Sequence, residues 1–249
     1  MSYIDLTIGK EIVTITLNRP KVNALNDQVV KELQEAFHIV EHNDSAKVVI
    51  LTGQGSFFSF GFDVPGFMPY RKEQFRDYVA SYSTLVKRIF MFPKPVIAAL
   101  NGHAVAGGTV LAMACDRRIM ISGRAKIALN EMTFGSTVFS CVTETLKYAV
   151  GAKGAEQILY SGKMYSAQEA LSLGLVDMIA GEDEFEKVVS KCANDFTGKD
   201  IPAFASIKKM LKQETLNNIE RLEKETISEF VGIWYSDSTR KQLEKIEIR

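Results

Sequence analysis

Three short segments of this 249-residue chain set anion-holding or proton-carrying groups beside glycine turns and apolar walls. The first is Leu100-Asn101-Gly102-His103-Ala104-Val105-Ala106-Gly107-Gly108. It follows Pro95-Val96-Ile97-Ala98-Ala99, which reads as a buried strand, and precedes Val110-Leu111-Ala112-Met113-Ala114-Cys115, which reads as a buried helix. Main-chain N–H groups at a helix start lack intrahelical partners, and the helix dipole favours negative charge there. Gly107 and Gly108 have no side chain to keep a ligand away. The segment is an expected anion or oxyanion site, with neither a nucleophile elbow nor a P-loop lysine.

The second segment, Ser56-Phe57-Phe58-Ser59-Phe60-Gly61-Phe62-Asp63, follows the strand expected at Lys47–Thr52 and again opens into a glycine loop. One N–H near Phe62 and one near Gly107 could hold a single carbonyl oxygen between them. In the third, Ala128-Leu129-Asn130-Glu131-Met132-Thr133-Phe134-Gly135, a carboxylate stands among apolar residues after a short strand. Taken alone, Glu131 reads as a surface or helix-start glutamate. Burial among Leu129, Met132 and Phe134 would raise its pKa and make it a proton shuttle near neutral pH.

The elements that must hold these segments alternate between strand and helix. Glu11–Leu17 alternates with period two and is β-branched, a strand. Asp27 reads as the cap of a helix to about His42, with Val29, Val30, Leu33, Ala36, Phe37 and Val40 as its apolar stripe. A helix from about Gln74 to Phe90 ends before Pro93 and Pro95. Arg118–Ser122 and Lys126–Leu129 read as short strands, and Thr137–Val150 and Ala152–Tyr160 as helices parted by Gly151. Ser166-Ala167-Gln168-Glu169 is a capping box for a short helix closed by Gly174. From about Asp183 the chain is helical, punctuated by Pro202. The pattern indicates an α/β fold with a helical C-terminal part.

Composition narrows the function. Thirty basic and thirty acidic residues cancel, so no basic excess points to nucleic acid, and an anionic ligand must be met by local charge. Cys115, Cys141 and Cys192 are scattered and show neither metal spacing nor a disulfide framework, which favours a reducing compartment. No apolar run approaches the roughly 18 residues of a membrane span. The N-terminus reads as neither signal nor transit peptide. The expectation is a soluble, cytoplasmic protein with no metal.

Together, "FFSFGFD" and "NGHAVAGGTVLAMACD", with Asn18-Arg19-Pro20-Lys21-Val22-Asn23-Ala24-Leu25 upstream, resemble segments of the crotonase (enoyl-CoA hydratase/isomerase) superfamily. The resemblance runs from about Leu17 to the C-terminus. It implies a crotonase-like spiral of ββα units with a C-terminal helical region, drawn here as a core over about 1–195 and an oligomerisation region over about 196–249. It implies a homotrimer or a dimer of trimers, and an acyl group carried as a coenzyme A thioester with no further cofactor. Phe62 and Gly107 would supply the oxyanion N–H groups, and Glu131 would be the catalytic carboxylate. Lys21, Val22, Ala24 and Phe60 fall where the family meets coenzyme A, although Lys21 also reads as a solvated lysine.

One departure from the family decides between reactions. Hydratases carry a second glutamate three residues past the oxyanion glycine, and this chain has Val110 there. Without it, water has no anchor, and one carboxylate with an oxyanion hole suits moving a proton from carbon to carbon. The Δ3,Δ2-enoyl-CoA isomerases of mitochondrial type lack that glutamate too. The chain is similar to them at "VNAL", at Cys115-Asp116 with Arg118-Ile119, at Leu129-Asn130-Glu131, and at Phe230-Val231 with Ser236-Asp237-Ser238. The leading expectation is an enoyl-CoA isomerase; a hydratase or decarboxylase on the same scaffold and a non-catalytic binding protein are the alternatives. His103 reads as positional, Asp63 as a loop-bracing carboxylate, Cys141 as a small buried apolar residue, and Phe67 and Met68 as acyl-pocket lining.

Overall fold

The computed structural model describes residues 2–246. Two sheets are built by alternate strands of the same chain. A six-stranded sheet has the order β1 (Ile4–Ile8), β2 (Ile12–Leu17), β3 (Val48–Gly53), β5 (Val96–Leu100), β7 (Arg117–Ile121), β10 (Met178–Ala180). Only the β1–β2 pair in it is antiparallel. A four-stranded sheet has the order β4 (Phe57–Ser59), β6 (His103–Val105), β8 (Lys126–Ala128), β9 (Tyr165–Ser166). In the middle of the chain each turn gives one strand to the first sheet, the next to the second, then a helix: β3–β4, β5–β6 and β7–β8 repeat this order. This is the α/β spiral of ββα units with a helical C-terminal region.

The helices are α1 (Asp27–Glu41), α2 (Val64–Phe67), α3 (Lys72–Phe90), α4 (Gly107–Ala114), α5 (Ser140–Ser161), α6 (Ala167–Leu173), α7 (Phe185–Thr197), α8 (Ile201–Trp234) and α9 (Asp237–Leu243). All six expected stripe residues of α1 are buried. Side chains of that size contribute on the order of 1.5–3 kcal/mol each when fully buried. The cap of α1 is Asn26 rather than Asp27; its side chain accepts from the Val29 N–H. The capping box at Ser166 and Glu169 forms as expected, and Gly174 closes α6 in the left-handed region. Gly151, at φ 72° and ψ 169°, breaks α5 in two.

The long helix α8 packs on α3 and α5, and Ile227, Phe230, Val231 and Trp234 join the same apolar core as the sheet residues Val13 and Leu51. A buried ion cluster fastens its other half. Asp116, just before β7, accepts from Lys208 Nζ at 2.7 Å, Lys212 Nζ at 2.8 Å and the Val96 N–H at 2.9 Å. Burial lowers the Lys208 ammonium to about 8 against the pull of Asp116. Met1 and residues 247–249, the outer ends of the two regions drawn above, lie outside the described residues.

Five strands were not legible as such: β1, β4, β6, β9 and β10. The segments read as a glycine loop and a glycine turn each contain a short strand of the second sheet. Helix α3 begins at Lys72, not Gln74, and α5 at Ser140, not Thr137.

Candidate active site

The three segments converge because β4, β6 and β8 are adjacent and parallel. Phe62 follows β4, Gly107 follows β6 and Glu131 follows β8. All three leave the same edge of one small sheet, the edge where open parallel sheets place their ligands. The register pairs Val105 with Ala128. Beyond it the Ala106 N–H donates to Ala128 O at 2.9 Å, and Thr109 Oγ1 donates to Ala128 O at 2.8 Å. Those bonds tie the start of α4 to the strand that delivers Glu131.

The loop after β4 spends nearly every amide. Phe60 N donates to Val22 O, Gly61 N to Ser59 Oγ, Asp63 N to Leu25 O and Val64 N to Phe62 O. Among the described residues, the Phe62 N–H has no partner, nor has the Gly107 N–H at the first position of α4. Gly61 lies at φ +93°, and a Cβ there would stand 2.9 Å from Gly107 N. Glycine is required for that close approach of the two loops. Ala106, at φ 47° and ψ −119°, is the strained residue that turns β6 into α4.

Tyr82 of α3 touches both loops: its hydroxyl donates to Gly107 O at 2.6 Å, and its ring meets the Phe62 ring edge-on at 4.9 Å. Burial pushes its phenol well above 10, so it stays a neutral donor.

A cavity of about 230 Å³ opens at this edge. At about 30 Å³ per water-sized group, that is room for several heavy atoms of an acyl chain. Phe60, Phe62, Gly107, Val110, Asn130 and Glu131 line it, joined by Ser136 and Val142 and by Phe230 and Trp234 of α8. Glu131 is its only carboxylate among the described residues. Part of Glu131 reaches the surface, but its Oε2 is buried with no hydrogen-bond partner. Desolvation raises the carboxyl from 4.5 to about 7, opposed only by a bond from its own backbone N–H. Leu129 is buried beside it, whereas Met132 is 58% exposed and does not supply the apolar wall expected of it.

A base that must be ionised works only above its pKa. Turnover should therefore fall as pH drops through about 7, following the protonation of Glu131. A pH profile of kcat/KM that stays flat from pH 8 down to about 5 would contradict that assignment.

Other expectations are corrected. Phe67 and Met68 do not line the cavity; Phe67 is buried against Tyr78, with ring centroids 4.2 Å apart. Asp63 braces its loop from Gly66 N, and it also pairs with Arg19 Nη2 at 2.6 Å. His103 is positional: its Nδ1 accepts from Lys126 N at 3.2 Å and its ring lies on Phe57. Cys141 is fully buried, and its thiol is pushed up to about 12. At the C-terminal end of α1, the donor atoms of His38, Glu41 and His42 lie within 4.8 Å of one another, a grouping not expected from the sequence. All three are exposed, and Glu41 is held by Arg88 at 2.6 Å.

Lys21 is exposed, at φ 75°, while Val22 and Ala24 are buried. None of the three lines the cavity. Val22 is tied to its wall by the bond from Phe60 N to Val22 O, whereas Ala24 O accepts from Arg19 Nη1, which does not line the cavity. Tyr82, Ser136, Phe230 and Trp234 were not foreseen. Tyr82 and Ser136 carried no signal of their own, and Phe230 entered only through the resemblance to the isomerases. Trp234, the single tryptophan, was the one visible signal among them.

The profile of the enoyl-CoA hydratase/isomerase family matches residues 7–245. The chain belongs to that family. The match begins some ten residues before Leu17, where the resemblance in sequence had been placed. A probable enoyl-CoA hydratase of Bacillus subtilis is 34% identical over 224 residues, 88% of this chain and 86% of the relative. The mitochondrial enoyl-CoA delta isomerase 1 of Rattus norvegicus is 28% identical over 235 residues, 93% of this chain and 81% of the relative. Among solved structures, enoyl-CoA hydratase from Bacillus halodurans superposes with a TM-score of 0.90 at 27% identity, covering 98% of this chain and all of that one. Human mitochondrial delta3-delta2-enoyl-CoA isomerase superposes at 0.92 with 24% identity, covering 98% and 96%, a likeness of fold. An enoyl-CoA hydratase/isomerase family enzyme is thus in hand, and names of both kinds occur among its relatives.

Proposed function

We propose that this family member shifts a double bond, converting a 3-enoyl-CoA to a 2-enoyl-CoA. The observation that carries the reading is Val110. It lines the cavity, is 1% exposed, and sits one turn into α4, where a hydratase would have its second carboxylate. One proton carrier remains. The Glu131 carboxylate takes a proton from C2 of the substrate. The electron pair spreads over the thioester oxygen and the C3–C4 bond as a dienolate. The N–H groups of Phe62 and Gly107 hold the oxygen as its charge grows. The protonated Glu131 returns its proton at C4, which leaves the double bond at C2–C3 and the carboxylate restored.

The thioester's coenzyme A would lie along Lys21, Val22, Ala24 and Phe60, with Lys21 as the phosphate partner. That placement is supported by the loop's bonds to the Phe60 segment. For assembly, the reading is a homotrimer or a dimer of trimers, supported by the exposed Ile207, Met210 and Leu211 on α8.

Hydration is the competing reading, favoured by the names of several relatives. Val110→Glu tests between them. A new buried carboxylate costs stability unless it neutralises or finds water. In folded protein the ratio of hydration to isomerisation should rise by about tenfold or more. A folded Val110→Glu enzyme with an unchanged ratio would remove Val110 as the determinant.

A further inference from the structure

Among the described residues, seven side-chain polar atoms are buried without a hydrogen-bond partner. Four of them, Asn130 Oδ1, Glu131 Oε2, Ser136 Oγ and Trp234 Nε1, belong to residues lining the single cavity of the active site. Proteins rarely leave such groups unmet, and each one asks for an explanation. The proton chemistry accounts for Glu131. It does not account for Trp234, 2% exposed, or Ser136, 8% exposed.

An indole N–H can only donate, and a hydroxyl can donate or accept. Trp234 cannot turn to find a partner within the protein, because its ring is packed on Phe75 at 4.4 Å and on Phe230 at 5.8 Å. Ser136 is fixed by its own N–H, which donates to Glu131 O at 3.0 Å. A plain hydrocarbon chain would leave both donors unmet. Among the described residues no lysine or arginine lines the cavity, and its only carboxyl is Glu131. An anionic group would find no countercharge there and one like charge.

We propose that the acyl group of the substrate carries a neutral oxygen acceptor, a hydroxyl or a ketone, received by the Trp234 indole N–H and the Ser136 hydroxyl. This rests on the acyl-thioester reading of the cavity, but not on which reaction follows.

The test is calorimetric binding of saturated acyl-CoA thioesters to the intact protein. Saturated chains undergo neither isomerisation nor hydration, so affinity is read apart from the reaction. At each of several chain lengths, four thioesters are compared: a plain alkyl chain, one with a terminal hydroxyl, one with a ketone at the penultimate carbon, and one with a terminal carboxylate. At one chain length the hydroxyl or ketone form should bind about tenfold more tightly than the plain chain. The tighter of these two arms identifies the group, and the carboxylate should gain nothing. Trp234→Phe and Ser136→Ala should each cut the preference by about threefold or more. Ser136→Ala removes only a hydroxyl, so it reports even if Trp234→Phe fails to fold.

Equal affinity for plain and oxygenated chains at every length would overturn the proposal, since water would then be what satisfies the two donors. A preference for the carboxylate, or a preference unchanged in folded variants, would overturn it too. Failure of every thioester to bind would overturn this proposal and the acyl-CoA reading together.

Discussion

Glu131→Gln should lower isomerase turnover by roughly 10²–10⁴-fold, while thioester affinity stays within a few-fold of wild type. The amide keeps the shape of the carboxylate and cannot carry a proton between C2 and C4. No second acid lines the cavity among the described residues, so nothing stands ready to take over. The same change has a signature in stability. Folding raises the Glu131 carboxyl from 4.5 to about 7, so the folded state disfavours its charged form. The group's favourable contribution is complete in acid, below the unfolded value, and is lost as pH rises through the folded value. Glutamine carries no charge to bury. The variant should therefore melt above wild type at pH 8, and that difference should vanish in acid. Loss of activity with a higher melting temperature is hard to obtain from a merely structural residue. Turnover within about tenfold of wild type would remove Glu131 from the mechanism.

The second large effect is expected from Gly107→Pro, which deletes one oxyanion donor. Turnover should fall on the order of 10²–10³-fold, the usual cost of one such donor. Proline suits the first position of a helix, where the missing N–H takes no part in the ladder. The neighbourhood is less forgiving. A Cβ at 107 would stand 3.0 Å from Phe62 Cδ1, and Ala106 must keep its positive φ before the proline. The melting temperature is therefore measured alongside turnover. Folded Gly107→Pro protein with normal turnover would exclude the oxyanion assignment.

What could be read from the chain alone follows the length of its signals. The stripe of α1 repeats over four turns, and every stripe residue is buried where its period placed it. The Ser166–Glu169 box and the Gly151 break are local chemistry, and both appear in the structure. The strands β4, β6 and β9 have three, three and two residues. They carry no periodicity long enough to detect, and they form because pairing with distant segments holds them, parallel for β4 and β6 and antiparallel for β9. Phe62, Gly107 and Glu131 were legible as candidates because each sits next to a glycine or in a sharp polar-to-apolar contrast. The far wall was not. Phe230 and Trp234 come from α8, nearly a hundred residues beyond Glu131, and only packing of that helix on α3 and α5 brings them to the cavity. Met132 failed as a wall residue for the opposite reason: the 3₁₀ turn at Glu131–Phe134 points neighbouring side chains to different sides.

In the proposed reaction one carboxylate and two amides move a double bond and do not add water. Wild-type enzyme supplied separately with a 3-enoyl-CoA and with the matching 2-enoyl-CoA separates isomerisation from hydration. The 3-enoyl thioester should be converted to the 2-enoyl thioester, and the 2-enoyl thioester should persist without forming a 3-hydroxyacyl product. Hydration of the 2-enoyl thioester at a rate comparable to isomerisation would contradict the proposed reaction, and would mean that Asn130 or Ser136, beside Glu131 in the cavity wall, holds the water that Val110 cannot.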